Sequence, residues 1–456
     1  MKALKMPLNH LFIDFNSYFA SVEQQIKPEL RNKPVGVLPV MAGTTCCIAA
    51  SYEAKAYGVR TGTMVSDAKK MCPGMRFVEA NHKIYIQYHK KLVEKVNECL
   101  PVDKVHSIDE MVCSLIGNER KRENAINIAL LIKKKISEDV GEFLRCSIGI
   151  APNQFLAKTG TNMQKPDGLV VIDFEDLPYS LYKLDLSDLT GVGRKMIIRL
   201  RRKGIYTMED ICKADRNLLR KVWGGIEGER MYDQLRGKNV PRPLTHRSTI
   251  GHSHVLPPRL KSNESAYAVL HRLVQKAAMR LRYLGYYAGA LGVVVRYKTK
   301  RDPYDTIDYG SDPSYSGKRS SSYIDSWHRQ KRMKWKDKIT FIHTQNTIDF
   351  IEALNIMWER NPFLENIPTA VGVVLFNLLQ GKYVTLSVLE SYKQVEKDKS
   401  LYTAIDGLNR RYGHASVYFG GSHIAKYSAP MRIAFTQIPD LKVEDDEKKI
   451  VLKRKN

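Results

Sequence analysis

Residues Val105-His106-Ser107-Ile108-Asp109-Glu110-Met111-Val112 place two adjacent carboxylates between short runs of β-forming residues. The pattern predicts a strand, a tight bend and a second strand, with the acids at the rim of a sheet. Adjacent carboxylates repel when both are ionised, so a site that keeps the pair needs a nearby cation or a raised pKa. Paired hard oxygen donors suit Mg²⁺, which binds through one or two carboxylates together with substrate phosphates. Taken alone, the pair reads more simply as an exposed acidic turn, so the rest of the chain decides.

Upstream, Leu11-Phe12-Ile13-Asp14-Phe15 is an apolar run ending on a carboxylate, and Asn16 or Ser17 can cap a helix through Gln25. A carboxylate at the end of a buried strand is costly without a cation or donor. Phe15 offers a backbone carbonyl at the same rim. Phe19 lies on the first helical turn, where core packing is its simplest reading. Ser51 to Gly58 reads as a short helix with Tyr52 and Lys55 on one face. A hydroxyl and an ammonium near a helix N-terminus can meet phosphate oxygens.

Residues 82–100 and 120–138 carry helical spacing, and Cys146 to Ile150 and Leu169 to Ile172 read as strands. A helix from Phe155 to Met163 and the turn Lys165-Pro166-Asp167-Gly168 separate those two strands. The order is that of a βαββαβ ferredoxin-like sheet. In such a sheet Asp14 and the Asp109-Glu110 bend fall on neighbouring central strands, so three carboxylates distant in sequence converge. Two Mg²⁺ ions between them can clamp the attacking and leaving oxygens of a phosphoryl displacement.

The net charge of +25 and the pI near 9.6 predict attraction to a polyanion, most simply nucleic acid. No run of about eighteen apolar residues exists, which excludes a membrane-spanning helix. The seven cysteines form no C-x-x-C pair and are odd in number. That argues against a disulfide framework or zinc site and for a reducing compartment, with the thiols as small core residues. A soluble, intracellular protein is expected.

Leu189-Thr190-Gly191-Val192-Gly193-Arg194-Lys195 opens a basic helix and resembles a helix-hairpin-helix. Its backbone N–H groups and Lys195 can hold a DNA phosphate without reading sequence. A Pro- and Gly-containing basic linker ends at Arg247. A second βαββαβ unit follows, with strands at 248–255, 288–298, around 339 and 369–379 and helices at 263–284 and 347–359. A polar segment at 301–326 interrupts it. The basic stretch 327–338, with Arg329, Lys331, Arg332 and the interleaved Trp327 and Trp335, suits a nucleic-acid groove. Ser400 to Gly413 reads as a helix with Leu401, Ala404, Ile405 and Leu408 on one face, before a charged tail.

Together these motifs resemble the Y family of translesion DNA polymerases, in particular Gram-positive bacterial members of the mutagenesis type. The motifs are Asp14 to Glu23, Ser51 to Lys55, Ser107 to Glu110, Lys165 to Gly168 and Gly191 to Gly193, ordered over residues 8–240. The resemblance implies an α+β multidomain right-hand polymerase. A ferredoxin-like βαββαβ palm is expected at 1–32 and 78–174, with small fingers at 33–77. A helix-hairpin-helix thumb is expected at 175–238 and a linker at 239–247. A βαββαβ little finger at 248–380, with an insertion at 301–338, precedes a C-terminal extension at 381–456.

By the same resemblance Asp14, Asp109, Glu110 and the Phe15 carbonyl bind two Mg²⁺ ions. Phe19 is the steric gate against a ribose 2′-OH, and Tyr52, Lys55 and Lys165 contact the dNTP triphosphate. Gly62 sits in the fingers that roof the nascent base pair. Gly191, Gly193, Lys195, Arg329, Lys331 and Arg332 contact primer-template DNA. Lys55 stands where many members carry Arg, which supplies charge without a bidentate fork. The nearest match to a sliding-clamp peptide, Thr385-Leu386-Ser387-Val388-Leu389, lacks that motif's Gln and Phe. The expected reaction is primer extension past damaged bases. The competing expectations are a DNA-binding accessory protein without catalysis and a two-metal nucleotidyl cyclase.

Overall fold

Strand β1 (His10–Phe15) is buried from Leu11 to Phe15, as expected of a central strand covered on both faces. The computed structural model describes residues 6–43, 45–241, 246–298, 333–383, 392–413, 415–433 and 438–441, with backbone alone over 392–396. The helix α1 (Tyr18–Ile26) follows β1. Its N-cap, Ser17, is in the left-handed region at φ 48° and makes no side-chain cap, contrary to the expected capping role.

A small sheet comes next, of β2 (Val35–Leu38), β3 (Ala49–Ala50) and β4 (Arg76–Glu79) in the order β3-β2-β4. It carries α2 (Tyr52–Ala56) and α3 (Val65–Met71). Ser51 caps α2 by accepting from the Ala54 N–H. The strand β3 is short because Cys46, upstream of it, makes only an isolated bridge to Met64. Cys46 and Cys99 are only partly buried, whereas the other five cysteines are core residues as expected.

The main sheet is completed by α4 (His82–Asn97), β5 (Lys104–Val105), β6 (Glu110–Ser114), α5 (Arg122–Lys135), β7 (Cys146–Ala151), α6 (Gln154–Met163) and β8 (Leu169–Val171). Its order is β5-β6-β1-β7-β8. The first four strands form two interlocked βαβ crossovers, each spanning one intervening strand, as in a ferredoxin-like sheet. The strand β8 is added parallel to β7. Mid-β7, Gly149 lets α6 approach closely: a Cβ there would lie 2.0 Å from the Ala157 carbonyl oxygen. The helices α7 (Arg194–Arg201), α8 (Met208–Lys213), α9 (Arg216–Trp223) and α10 (Ile226–Leu235) share an apolar core with α6, including Leu156, Leu200, Leu219 and Leu235.

The chain divides into two compact units, Met1–Pro243 with Ile433–Ile438, and Leu244–Arg432 with Pro439–Asn456. The second unit contains β9 (Thr249–Val255), α11 (Asn263–Tyr283), β10 (Tyr286–Tyr297), β11 (Lys334–Thr344), α12 (Thr347–Glu359) and β12 (Pro368–Gln380). Its element order is again βαββαβ. Its strand order is β11-β10-β12-β9, so the second and fourth strands are interior and the first is at an edge, whereas in the main sheet the first strand, β1, is the middle one.

The strand β11 overturns part of the expected basic groove. Lys334, Lys336 and Lys338 are exposed, but the intervening Trp335 is only 7 % exposed and packs edge-on to Trp358. Alternation along a strand sends neighbours to opposite faces, which separates the ring from the charges. The last helix, α13 (Tyr392–Tyr412), starts eight residues earlier than expected from Ser400. Leu401 and Leu408 are exposed rather than packed. The docking face is polar: Asp406 receives a two-pronged ion pair from Arg282 at 2.7 and 2.9 Å, and the Tyr402 hydroxyl donates to Asn346. The segments 301–332 and 384–391, with Arg329, Lys331, Arg332, Trp327 and the incomplete match to a clamp peptide, lie outside the described residues.

Candidate active site

Antiparallel pairing of β1 with β6 sets Asp14 directly opposite Glu110. Glu110 therefore opens a strand, while Asp109 alone remains in the bend expected to hold both acids. The bend is tied at several points. The Phe15 N–H donates to the Asp109 carbonyl at 2.8 Å, and the His106 N–H to the Glu110 carbonyl at 2.8 Å. Below it, Nδ1 of buried His89 lies 2.8 Å from the Ile108 carbonyl; a carbonyl only accepts, so Nδ1 carries the proton. Ser107 Oγ donates to Asp109 Oδ1 at 2.5 Å. Burial is the main cause that raises the Asp109 pKa, aided by Asp14 and Glu110 and opposed by the Ser107 hydrogen bond and Lys158.

The three carboxylates line one cavity of about 570 Å³ with Phe15, Phe19, Lys55, Lys158 and Lys165. Asp14 is 6 % exposed. It is paired with two ammonium groups, Lys158 and Lys165, the latter at 2.8 Å. Lys158 also reaches Glu110 at 2.9 Å. Burial lowers the Lys158 pKa, but Asp14 and Glu110 outweigh it and the net shift is upward. Among the described residues no three His, Cys, Asp or Glu side chains are grouped to hold a metal ion. The donors themselves fit one: all are hard oxygens, and a cation already stands between two of them.

Lys165 reaches Asp14 because its turn is tied to β1. The Asp167 N–H donates to Asn16 Oδ1 at 2.8 Å, and Asn16 Nδ2 donates to Ser147 Oγ at 3.1 Å. Phe19 is half-buried at the cavity wall, so it is not the plain core residue that its helix position allows. Its ring lies on Tyr85 with centroids 4.5 Å apart and planes 15° apart. The Tyr85 hydroxyl donates to buried Glu23 at 2.7 Å. Lys55 Nζ sits 4.3 Å over the Tyr52 ring, but Tyr52 does not line the cavity. Burial lowers the Lys55 pKa, with Lys165 acting in the same direction and Asp14 against. Gly62, at φ 96°, follows the cavity residue Thr61. Gly191, at φ 86°, Gly193, which caps α7, and exposed Lys195 lie on the helical part and not in the cavity.

Residues 13–162 match the impB/mucB/samB family and residues 247–388 its C-terminal domain. DNA polymerase IV of Moorella thermoacetica is 30% identical over 434 residues, covering 90% of this chain and 98% of the relative. The chain belongs to the Y family of DNA polymerases. DNA polymerase IV of Pelotomaculum thermopropionicum is 33% identical over 288 residues, 61% of this polymerase and 70% of the relative. A solved Y-family chimera of Dbh and Dpo4 shares the fold, with a TM-score of 0.64 at 22% identity over 82% of this chain and 99% of its own. The polymerase thus has the α+β multidomain architecture expected from its motifs. Lys158 lines the candidate site, and Asn16 and Tyr85 back it from outside the cavity; sequence reading assigned none of the three there. A lysine among the buried neighbours Ala157, Thr159, Gly160 and Thr161 of α6 was the available signal for the first.

Proposed function

We propose that this polymerase extends a DNA primer past damaged template bases, using the Asp14, Asp109 and Glu110 rim as its catalytic centre. The observation that carries the assignment is the register of β1 and β6, which puts the three acids on one cavity with three lysines. The primer 3′-hydroxyl attacks the α-phosphorus of a dNTP and pyrophosphate leaves. Asp14, Asp109, Glu110 and the Phe15 carbonyl are the groups that would hold two Mg²⁺ ions. Bound there, Mg²⁺ supplies charge neutralisation for the phosphates and a more acidic 3′-hydroxyl.

The protein's own groups do the positioning. Lys55 and Lys165 offer their charges to the triphosphate, with Tyr52 holding Lys55 in place. Phe19, backed by Tyr85, occupies the place where a 2′-hydroxyl would intrude. The five-stranded sheet is read as the palm, the three-stranded sheet as fingers, α7–α10 as the thumb and the second unit as the little finger. Gly191, Gly193 and Lys195 are the proposed backbone contacts to primer-template DNA, with Arg329, Lys331 and Arg332 extending them.

Primer extension over an abasic template with Mg²⁺ tests the reading. Synthesis past the lesion by the intact chain, and its loss on Asp109→Ala, is the expected result. Tight DNA binding without incorporation by the intact chain would instead mark an accessory protein.

A further inference from the structure

We propose that Lys158 is a built-in counter-cation of the acidic rim: its ammonium holds Asp14 and Glu110 together in the metal-free chain, and divalent metal must displace it. The proposal rests on the reading of that rim as a metal site. Lys158 projects from α6, which packs against β7 through the close Gly149 contact. The ammonium bridges carboxylates that are directly opposed on β1 and β6. The lysine side chain is 13% exposed and that of Asp14 9%, whereas that of Glu110 is 30% exposed, so the Asp14 end of the bridge is shielded from water and the Glu110 end faces the cavity. The same ammonium lies 5.2 Å from the centre of the Phe12 ring, another favourable seat for a cation.

Without a cation the opposed carboxylates would repel; Lys165 also pairs with Asp14, but Lys158 is the ammonium that reaches both acids and preassembles the rim in the shape the reaction needs. The same contact opposes metal loading. A divalent ion and an ammonium cannot share the Asp14 and Glu110 oxygens at hydrogen-bonding distance, because like charges in a partly dry site repel strongly. Lys158 has somewhere to go. It lines the cavity beside Lys55 and Lys165, where incoming phosphates would supply its new counter-charge. Metal loading is therefore coupled to nucleotide arrival, and the chain alone holds metal weakly.

Mn²⁺ titration of the full-length chain without DNA, followed by the electron paramagnetic resonance of free Mn²⁺, measures this. Lys158→Met keeps the chain length and removes the charge. It is expected to tighten Mn²⁺ binding about tenfold or more, and Asp14→Asn is expected to remove that gain. Unchanged or weaker binding in Lys158→Met, where binding still depends on Asp14, overturns the counter-cation but leaves the metal site standing. Absence of Asp14-dependent binding in both chains removes the site and the proposal together.

A readout on the unsubstituted chain guards against a variant that misfolds. Lys158 should resist an amine-acylating reagent without metal and become reactive when saturating Mn²⁺ is added without nucleotide, as read by mass spectrometry. Equal protection in both states, with metal bound, overturns the displacement.

Discussion

The Phe19 ring lies flat on Tyr85, and the Tyr85 hydroxyl is locked to buried Glu23, whose second oxygen accepts from Lys27 at 2.8 Å. The proposed sugar-facing ring therefore has a rigid backing. Phe19→Ala should admit ribonucleotides, lowering discrimination against rNTPs by about 10- to 100-fold, the scale of an apolar steric contact. Single-nucleotide insertion of matched dNTP and rNTP measures it, and unchanged rejection would place the gate elsewhere. Tyr85→Phe keeps the stack but leaves one Glu23 oxygen without its donor, a loss of about 1–3 kcal/mol in stability.

Asp109 is held against electrostatic preference, since burial and its two acidic neighbours raise its pKa. A carboxyl whose folded pKa is raised disfavours the folded state once pH exceeds its unfolded value, because the ionised form is the poorer one in the fold. Asp109→Asn keeps an acceptor for Ser107 and removes the charge. It should therefore increase stability to urea near neutral pH, by on the order of 1 kcal/mol, while abolishing primer extension. Lower stability would show that the acid is paid back by a contact other than those described.

Strand β11 separates charge from packing, and substitutions should do the same. Trp335→Ala removes a core side chain and should cost about 3–5 kcal/mol of stability in the second unit. Lys336→Ala should leave stability nearly unchanged and weaken DNA binding. The slope of log affinity against log salt should fall by about 1 for each lysine that contacts phosphate. Equal salt slopes in the substituted and original chains would take this strand away from the DNA.

In β9, His252 and His254 are pushed down to about 3, by burial first and then by neighbouring cations: Lys276 and Arg280 for His252, Arg432 and Lys276 for His254. Both are neutral in the fold and protonated in the unfolded chain below its pKa of 6.5. A depressed folded pKa gives stability that is present above the unfolded value and lost as pH falls towards the folded one. Between pH 6.5 and about pH 5 each histidine should cost about 1.5 kcal/mol. Urea unfolding at the two pH values should show a smaller loss in the double variant His252→Gln, His254→Gln. An identical loss would assign the acid sensitivity to other groups.

Local patterning was enough to read much of this chain. Apolar alternation and helical spacing marked β9, α11, α12 and β12 to within two residues, because each buries one defined face. The run from Leu11 to Phe15 with Asp14 near its end, and the bend at Asp109, pointed to two walls of the candidate site only when placed together on neighbouring strands of a βαββαβ sheet. Tertiary structure alone decided the rest. Lys158 lies 144 residues from Asp14, and only the approach of α6 to Gly149 brings them together. The same βαββαβ pattern gave two different strand orders, because crossover pairing depends on which helix covers which face and not on any single segment. Trp335 belonged to the core rather than a groove for a similar reason. Its alternation with lysine says that the two faces differ, and packing determines which one meets water.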